Sequence, residues 1–385
     1  MRQPEDELAA LREAGLLRNL RRIEPGPPPF LGVEGRQLVN FSSNDYLGLS
    51  HHKTVLEAAR EATVRFGAGS TSSRLISGSL GIHHQLEARL AELKKTEAAL
   101  SFTSGYATAL GTLTTLLEKG DVVILDKLCH ASLIDGARQS GATLRVYPHN
   151  NLARLERLLS SARKALSPNS RLLVVTESVF SMDGDCAPLC EIVALVERFE
   201  ALLLVDEAHA LGVLGPTGQG LVEELGLQPR VAFQMGTLGK AVGAAGGYLA
   251  AERRWIDLLV NSARSFIYST APPPAQAAAS LAGLEIISSQ PGARLRQSLW
   301  SNLRHLTGRC GRPSASAIVP LVVGENEAAL AAAQSLCEAG FLVPAIRYPT
   351  VPRGTARLRI TVSAAHRPDQ LDDLARELRS LGIVN

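Results

Sequence analysis

Gly236-Thr237-Leu238-Gly239-Lys240-Ala241-Val242-Gly243 places a lysine in a glycine-bracketed turn directly after Val231-Ala232-Phe233-Gln234-Met235, an apolar run of buried-strand type. Upstream, Leu202-Leu203-Leu204-Val205-Asp206 is a second such run, and it ends in a carboxylate followed by Glu207, Ala208 and His209. A third, Leu172-Leu173-Val174-Val175-Thr176, ends at Glu177. Polar residues at the ends of buried strands sit where a parallel sheet presents its ligand-binding edge. A lysine beside glycine is ordinarily a solvated surface charge; the buried-strand run before Lys240 reverses that reading. A phosphate-binding P-loop is excluded, because the span from Gly236 to Gly239 is too short and Ala241 occupies the Ser/Thr position. An amine and an anion so placed are the pair that pyridoxal phosphate chemistry requires: Lys240 for a Schiff base, Asp206 for a pyridinium nitrogen.

Outward from these strands, short apolar runs alternate with helical stretches from about residue 50 to about residue 270. Residues 122–125, 144–147, 172–176, 202–205 and 231–235 read as strands, and 152–166 and 189–199 as helices between them. The alternation predicts an α/β fold with a parallel or mostly parallel central sheet and helices on both faces. Pro272-Pro273-Pro274 interrupts the chain and an alanine-rich helix from Ala275 to about Ser288 follows. Beyond Pro291-Gly292 the pattern becomes a smaller α+β C-terminal domain that ends in a helix over 371–381. At the other end, Pro4 followed by Glu5, Asp6 and Glu7 starts a helix. Leu8, Leu11, Leu16, Leu20 and Ile23 then recur at helical spacing, up to a stop at Gly26-Pro27-Pro28-Pro29. Three segments are expected: an N-terminal helix and strand segment over 1–49, a large domain over 50–274 and a small domain over 275–385.

A chain of 385 residues can bury a large core. Its net charge of +3 is small, and no basic run interleaved with aromatic residues is present, so no nucleic acid partner is expected. No apolar stretch reaches the roughly 18 residues of a membrane span. The charged N-terminus is unlike a signal peptide, and the cytoplasm is the expected location. The five cysteines, Cys129, Cys186, Cys190, Cys310 and Cys337, are scattered, which suits a reducing compartment. Cys186 and Cys190 lie four apart without a second pair at metal-site spacing, so no metal is expected.

Several motifs in order resemble the α-oxoamine synthases. They are Asn40-Phe41-Ser42-Ser43-Asn44-Asp45-Tyr46-Leu47-Gly48-Leu49, Thr176-Glu177-Ser178-Val179-Phe180-Ser181-Met182-Asp183-Gly184-Asp185, the Asp206 and Lys240 stretches, and Tyr348-Pro349-Thr350-Val351-Pro352 through His366. The likeness runs from about residue 20 to the C-terminus. It implies a fold-type I aminotransferase-like architecture, pyridoxal 5'-phosphate as cofactor, and decarboxylative acyl transfer to an amino acid. Residues 345–352 look closest to the branch that serves biotin synthesis, with Tyr348 where a proline is often seen. That branch condenses L-alanine with a pimeloyl thioester, either pimeloyl-CoA or a pimeloyl acyl carrier protein. Glycine C-acetyltransferase, 5-aminolevulinate synthase and serine palmitoyltransferase share the chemistry. A reading of another class, a non-catalytic scaffold subunit, is opposed by the presence of Lys240, Asp206 and His130 together.

The same resemblance implies roles. Lys240 carries the cofactor and moves the α-proton, Asp206 keeps the ring nitrogen protonated, and His130 stacks on the ring. His209 hydrogen-bonds the ring hydroxyl, with Ser181 in the same region. By itself Asp206 would read as a strand-end cap, but Glu207 and His209 beside it favour a functional cluster. Thr103-Ser104-Gly105-Tyr106-Ala107 should open a helix whose free N–H groups favour an anion; Gly105, Tyr106 and the Thr237 hydroxyl are the implied phosphate contacts. Ser269 and Thr270 match residues through which a partner subunit reaches the phosphate, which implies a homodimer with shared sites. Arg359 resembles the arginine that holds the amino-acid carboxylate, but Arg357 shares its strand face and spacing does not choose between them. Arg21, Asn44, His130 and Thr350 are further substrate candidates, with Arg347 near Thr350. His51, His52, His83, His84, His149 and His305 read as structural. No catalytic role falls to the glycine-rich stretch from Gly67 to Arg74.

Overall fold

The computed structural model describes residues 3–384. Contacts divide the chain into two units: one of residues 44–181 and 185–298, the other of the residues through 43 together with 182–184 and 299–385.

The larger unit is built on a seven-stranded sheet. Its order is Ala98–Phe102, Gly247–Ala251, Phe233–Thr237, Leu202–Asp206, Leu172–Glu177, Val122–Asp126 and Thr143–Tyr147. Gly247–Ala251 runs antiparallel to both of its neighbours, and the remaining pairings are parallel. Every residue of Val122–Asp126 and of Leu172–Glu177 is buried. A strand covered on both faces has no solvent side on which to place polar residues, which is why these read as unbroken Val/Leu/Ile runs. Leu113, Val123, Leu173, Leu204, Phe233 and Leu249 belong to one core cluster. The parallel strands all point one way, so Asp126, Glu177, Asp206 and Thr237 end at a common edge.

Two members of the sheet are not visible as strands in the sequence: Ala98–Phe102 and Gly247–Ala251 are rich in alanine and glycine, which carry little strand propensity. The strand expected over 231–235 lies at Phe233–Thr237, two residues further on.

The smaller unit holds a four-stranded sheet, Ile23–Pro25, Phe30–Val33, Arg36–Asn40 and Phe341–Leu342, and a three-stranded antiparallel sheet, Ile318–Gly324, Ala356–Thr361 and Ala345–Ile346. Helices Asn326–Glu338 and Pro368–Ser380 accompany them. His366 is a structural group of this unit. It stacks on Phe41 at 4.1 Å, Nδ1 accepts the Ser363 N–H, and burial pushes its pKa down to about 4.

These units differ from the segments 1–49, 50–274 and 275–385. The N-terminal segment is not separate, because Arg36–Asn40 pairs in parallel with Phe341–Leu342. Helix Pro274–Ile287 belongs to the larger unit, where it packs on helix Lys53–Phe66. The boundary at residue 298 falls inside helix Gln290–Cys310. The N-terminal helix is also shorter than its leucine spacing predicts. It covers Pro4–Glu13 and buries no residue, while Leu20 is fully exposed. Gly15 ends the helix in the left-handed conformation, φ +65°, with its N–H donating to Arg12 O and the Leu16 N–H to Leu11 O, a glycine C-cap that overrides the leucine spacing. Among the described residues no helix is long and apolar enough to cross a membrane.

Candidate active site

At the common strand edge of the larger unit, a cavity of about 200 Å³ is lined by seven residues singled out from sequence: Gly105, Tyr106, His130, Asp206, His209, Thr237 and Lys240. Glu177, Ser132, Ala208, Met235 and Gly236 complete its wall.

Lys240 sits in a closed turn in which Leu238 N–H donates to Gly246 O, Ala244 N–H to Leu238 O and Gly243 N–H to Lys240 O. Gly243 is required there: its φ is +76°, and a Cβ would come within 2.5 Å of the Leu49–Ser50 peptide. The Lys240 Nζ lies 2.7 Å from His209 Nε2, and His209 Nδ1 lies 2.6 Å from the Tyr46 hydroxyl. Tyr46 Oη donates to Asn44 Oδ1 at 3.2 Å. One proton direction satisfies the whole line: Nζ donates to Nε2, Nδ1–H to the tyrosine oxygen, and the tyrosine hydroxyl to the amide oxygen.

Asp206 is buried at the end of its strand, where Oδ1 accepts the Ala208 N–H at 2.9 Å. Burial pushes its pKa up, and the nearby Lys240 charge opposes that shift. His130 caps helix Ala131–Gln139, its Nδ1 accepting the Ser132 N–H. Burial holds its pKa below the ordinary histidine value, so the ring is the neutral imidazole near pH 7.

The candidate anion-binding end is the start of helix Gly105–Leu116. Ser104 Oγ takes the Ala107 N–H at 3.0 Å, leaving the first-turn N–H groups of Gly105 and Tyr106 for another acceptor. Gly247 makes room for this turn, since a Cβ there would come within 2.7 Å of Gly105 Cα. Thr237 stands beside Gly105; its Oγ1 donates to Gly246 O and accepts the Gly239 N–H. Backbone donors and a hydroxyl for a phosphate, a buried carboxylate for a pyridinium and a primary amine for an aldehyde are the donor set that pyridoxal 5'-phosphate needs. The residues present fit it.

Other expected residues lie outside this cavity's wall. Ser181 is buried in the loop that follows Glu177. Ser269 and Thr270 lie on a segment tied to the glycine-rich loop, with Thr270 bridging Ser73 and the Ala271 N–H donating to Ser72 O. Glu207, read from sequence as part of the Asp206 cluster, faces away from the cavity. It forms a fully buried ion pair with Lys94 at 2.9 Å and accepts the Val222 N–H. Burial opposes the Lys94 charge, but Glu207 more than offsets this and leaves the ammonium above its ordinary pKa.

Arg357 and Arg359 part ways in the smaller unit. Arg357 is committed to Asp183 at 2.7 Å, while Arg359 Nη1 donates to Thr361 Oγ1 at 3.0 Å. Arg21, Ser42 and Arg347 line a separate cavity of about 670 Å³ in that unit. Arg347 donates to the Gly15 and Leu17 carbonyls. Thr350 is exposed, in a turn closed by its N–H to Arg347 O.

His149, read from sequence as structural, is held between two carboxylates. Its Nδ1 lies 3.0 Å from Asp126 and its Nε2 2.8 Å from Asp185. Burial opposes its charge, yet the two carboxylates raise its pKa to about 10. A raised histidine pKa gives stability that is complete below about pH 6.5 and lost as pH rises through about 10. The wild-type thermal midpoint should therefore exceed that of His149→Gln near neutral pH, and the gap should close at the alkaline end. A gap that does not change with pH would remove the charge from this account.

Residues 36–378 match the family described as Aminotransferase class I and II, and the chain belongs to that family. Within it the chain is an α-oxoamine synthase, an enzyme that uses pyridoxal 5'-phosphate to transfer acyl groups. A protein of Geobacter sulfurreducens named 8-amino-7-oxononanoate synthase is 46% identical over 388 aligned residues, covering 98% of each chain. One of the same name from Anaeromyxobacter dehalogenans is 49% identical, covering 97% of this chain and 94% of that protein. The solved serine palmitoyltransferase of Sphingomonas wittichii superposes with a TM-score of 0.92 at 32% identity, over 99% of this chain and 98% of that one. The fold-type I architecture expected from sequence is thus present.

Proposed function

We propose that this chain condenses L-alanine with a pimeloyl thioester, releasing the thiol and carbon dioxide and forming 8-amino-7-oxononanoate, as a cytoplasmic enzyme of biotin synthesis. The observation that carries the chemistry is the meeting of Lys240, Asp206, His209, His130 and the Gly105 helix start on one cavity. The choice of substrates is supported by the names of relatives that match nearly the full chain. Among the described residues the five cysteines form no disulfide, which suits a reducing compartment.

When bound, pyridoxal phosphate supplies an aldehyde that takes up amino groups and a cationic ring that accepts carbanion charge. Lys240 would hold the cofactor through Nζ, and the freed amine would take the α-proton at Nζ and later return it. His209 steers Nζ through the 2.7 Å contact and is itself held by Tyr46. Asp206 keeps negative charge at the ring-nitrogen end, which is where developing carbanion charge must be balanced. Gly105 and Tyr106 N–H groups with Thr237 would hold the phosphate, and His130 and Ser181 would hold the ring. Arg359 receives the alanine carboxylate as a planar fork. Arg21 meets the distal end of the acyl chain, with Asn44 and Thr350 as further substrate contacts.

The deciding measurement is a product assay of alanine, glycine and serine against pimeloyl-CoA, a pimeloyl carrier protein, acetyl-CoA and palmitoyl-CoA. Alanine with a pimeloyl thioester should lead glycine with acetyl-CoA by at least about tenfold in kcat/KM, the scale of discrimination a few methylenes allow. Equal turnover would move the chain to the glycine C-acetyltransferase reading.

The active unit is proposed to be a homodimer in which Ser269 and Thr270 of one subunit reach the phosphate site of the other. Mixing Lys240→Ala chains with chains altered at both Ser269 and Thr270 should restore activity, since a mixed dimer regains one intact site. A fully active monomer in sedimentation would refute this.

A further inference from the structure

Glu177 lines the cavity although the proposed chemistry gives it no part. It ends the strand Leu172–Glu177 and is paired in register with Asp206 on the adjacent parallel strand. Parallel strands lie about 4.8 Å apart and paired residues share a face, so two carboxyls stand side by side, and both are buried. Their surroundings differ. Asp206 has the Ala208 N–H on Oδ1 and the Lys240 charge to stabilise its anion. Glu177 accepts the His130 backbone N–H at 2.5 Å, but Asp126 adds a second negative charge on its side, the neighbouring Cys129 thiol is neutral, and Lys240 acts on both carboxyls.

We propose that Glu177 is a positioning residue that carries the one proton of this carboxyl pair, leaving Asp206 as its single anion while its own oxygen fixes the backbone of His130. This inference rests on the assignment of Asp206 to the ring-nitrogen end. Two like charges this close and this dry do not both ionise, so the pair titrates as a unit. Burial first, and the Asp206 charge second, push Glu177 up to about 8. A neutral acid there keeps the charge facing the cofactor at one rather than two. Its acceptor oxygen also holds the helix start on which the His130 ring is mounted.

The test uses the full-length, cofactor-loaded protein, repeated after the cofactor is removed, so that its outcome is separate from the activity assay. Infrared difference spectra across a pH titration should show a protonated-carboxyl band at pH 7 that fades as the pH is raised above neutral. E177Q should lack the band. D206N should keep it at low pH and lose it at a lower pH than wild type, because the neighbouring charge is gone. Amide hydrogen exchange at His130 should stay slow in E177Q, whose amide oxygen still accepts, and quicken about tenfold in E177L. A band that survives in E177Q and vanishes in D206N would put the proton on Asp206 and overturn the proposal, as would a wild-type protein with no such band. Equal exchange at His130 in all three proteins would overturn the positioning role. If Asp206 instead serves no cofactor, the band assignments can hold while D206N retains wild-type cofactor affinity, which separates failure of this inference from failure of the site assignment.

Discussion

Lys240→Ala protein is expected to lose turnover by a factor of about 10⁴ or more, since in the proposed function one side chain supplies both the covalent anchor and the proton-transfer group, and the second role alone is worth about 10²–10⁴. Wild-type protein treated with borohydride should retain the cofactor covalently on the peptide that contains Lys240. The variant should retain none, while still binding cofactor reversibly through the Gly105 helix start and Asp206. Attachment at another lysine would break the assignment, because Lys240 is the one lysine in the cavity wall.

Lys94→Met is the second large effect, and it is one of stability. The side chains of Lys94 and Glu207 are 1% and 0% exposed, and Lys94 Nζ also donates to Gln219 O at 2.5 Å. Removing the ammonium strands a buried carboxylate, a change that costs about 3–5 kcal/mol. The urea midpoint of the variant should fall accordingly, and adding Glu207→Leu should recover much of the loss, since a neutral pair leaves no charge uncompensated. A single variant within about 0.5 kcal/mol of wild type would mean that water or another cation already serves Glu207.

The edge that carries the candidate site was legible because Asp206 follows the apolar run Leu202–Val205 and Lys240 the run that contains Phe233–Met235. Parallel strands buried on both faces advertise themselves, and their ends are where ligands bind. Glu177 ended such a run too, yet its partnership with Asp206 depends on strand order, which local sequence does not encode. Glu207 misled for a related reason. Neighbouring residues on a strand end face opposite sides of the sheet, so closeness to Asp206 in sequence placed it on the far side, with Lys94. Tyr46 lay inside a quoted motif, but nothing in its spacing pointed to His209, which is far away along the chain. Leu8 and Leu11 gave a helix, whereas Leu16 and Leu20 carried the same spacing beyond Gly15, whose left-handed cap ends the helix.

The reversed strand Gly247–Ala251 sets a timetable for the nascent polypeptide. Among the described residues it is the only partner of Ala98–Phe102 in the sheet, and the cavity's Gly105 end hangs on that pairing, since Gly247 lies opposite both Phe102 and Thr237. At about 5–20 residues per second, a ribosome needs roughly 7–30 s to pass from Phe102 to Gly247. During that interval Ala98–Phe102 has been made and its hydrogen-bonding partner has not, leaving an apolar edge open to other chains. The segment left waiting is one that lines no part of the cavity, and a cofactor cannot shield it, because Lys240 and Gly247 are made only as the wait ends.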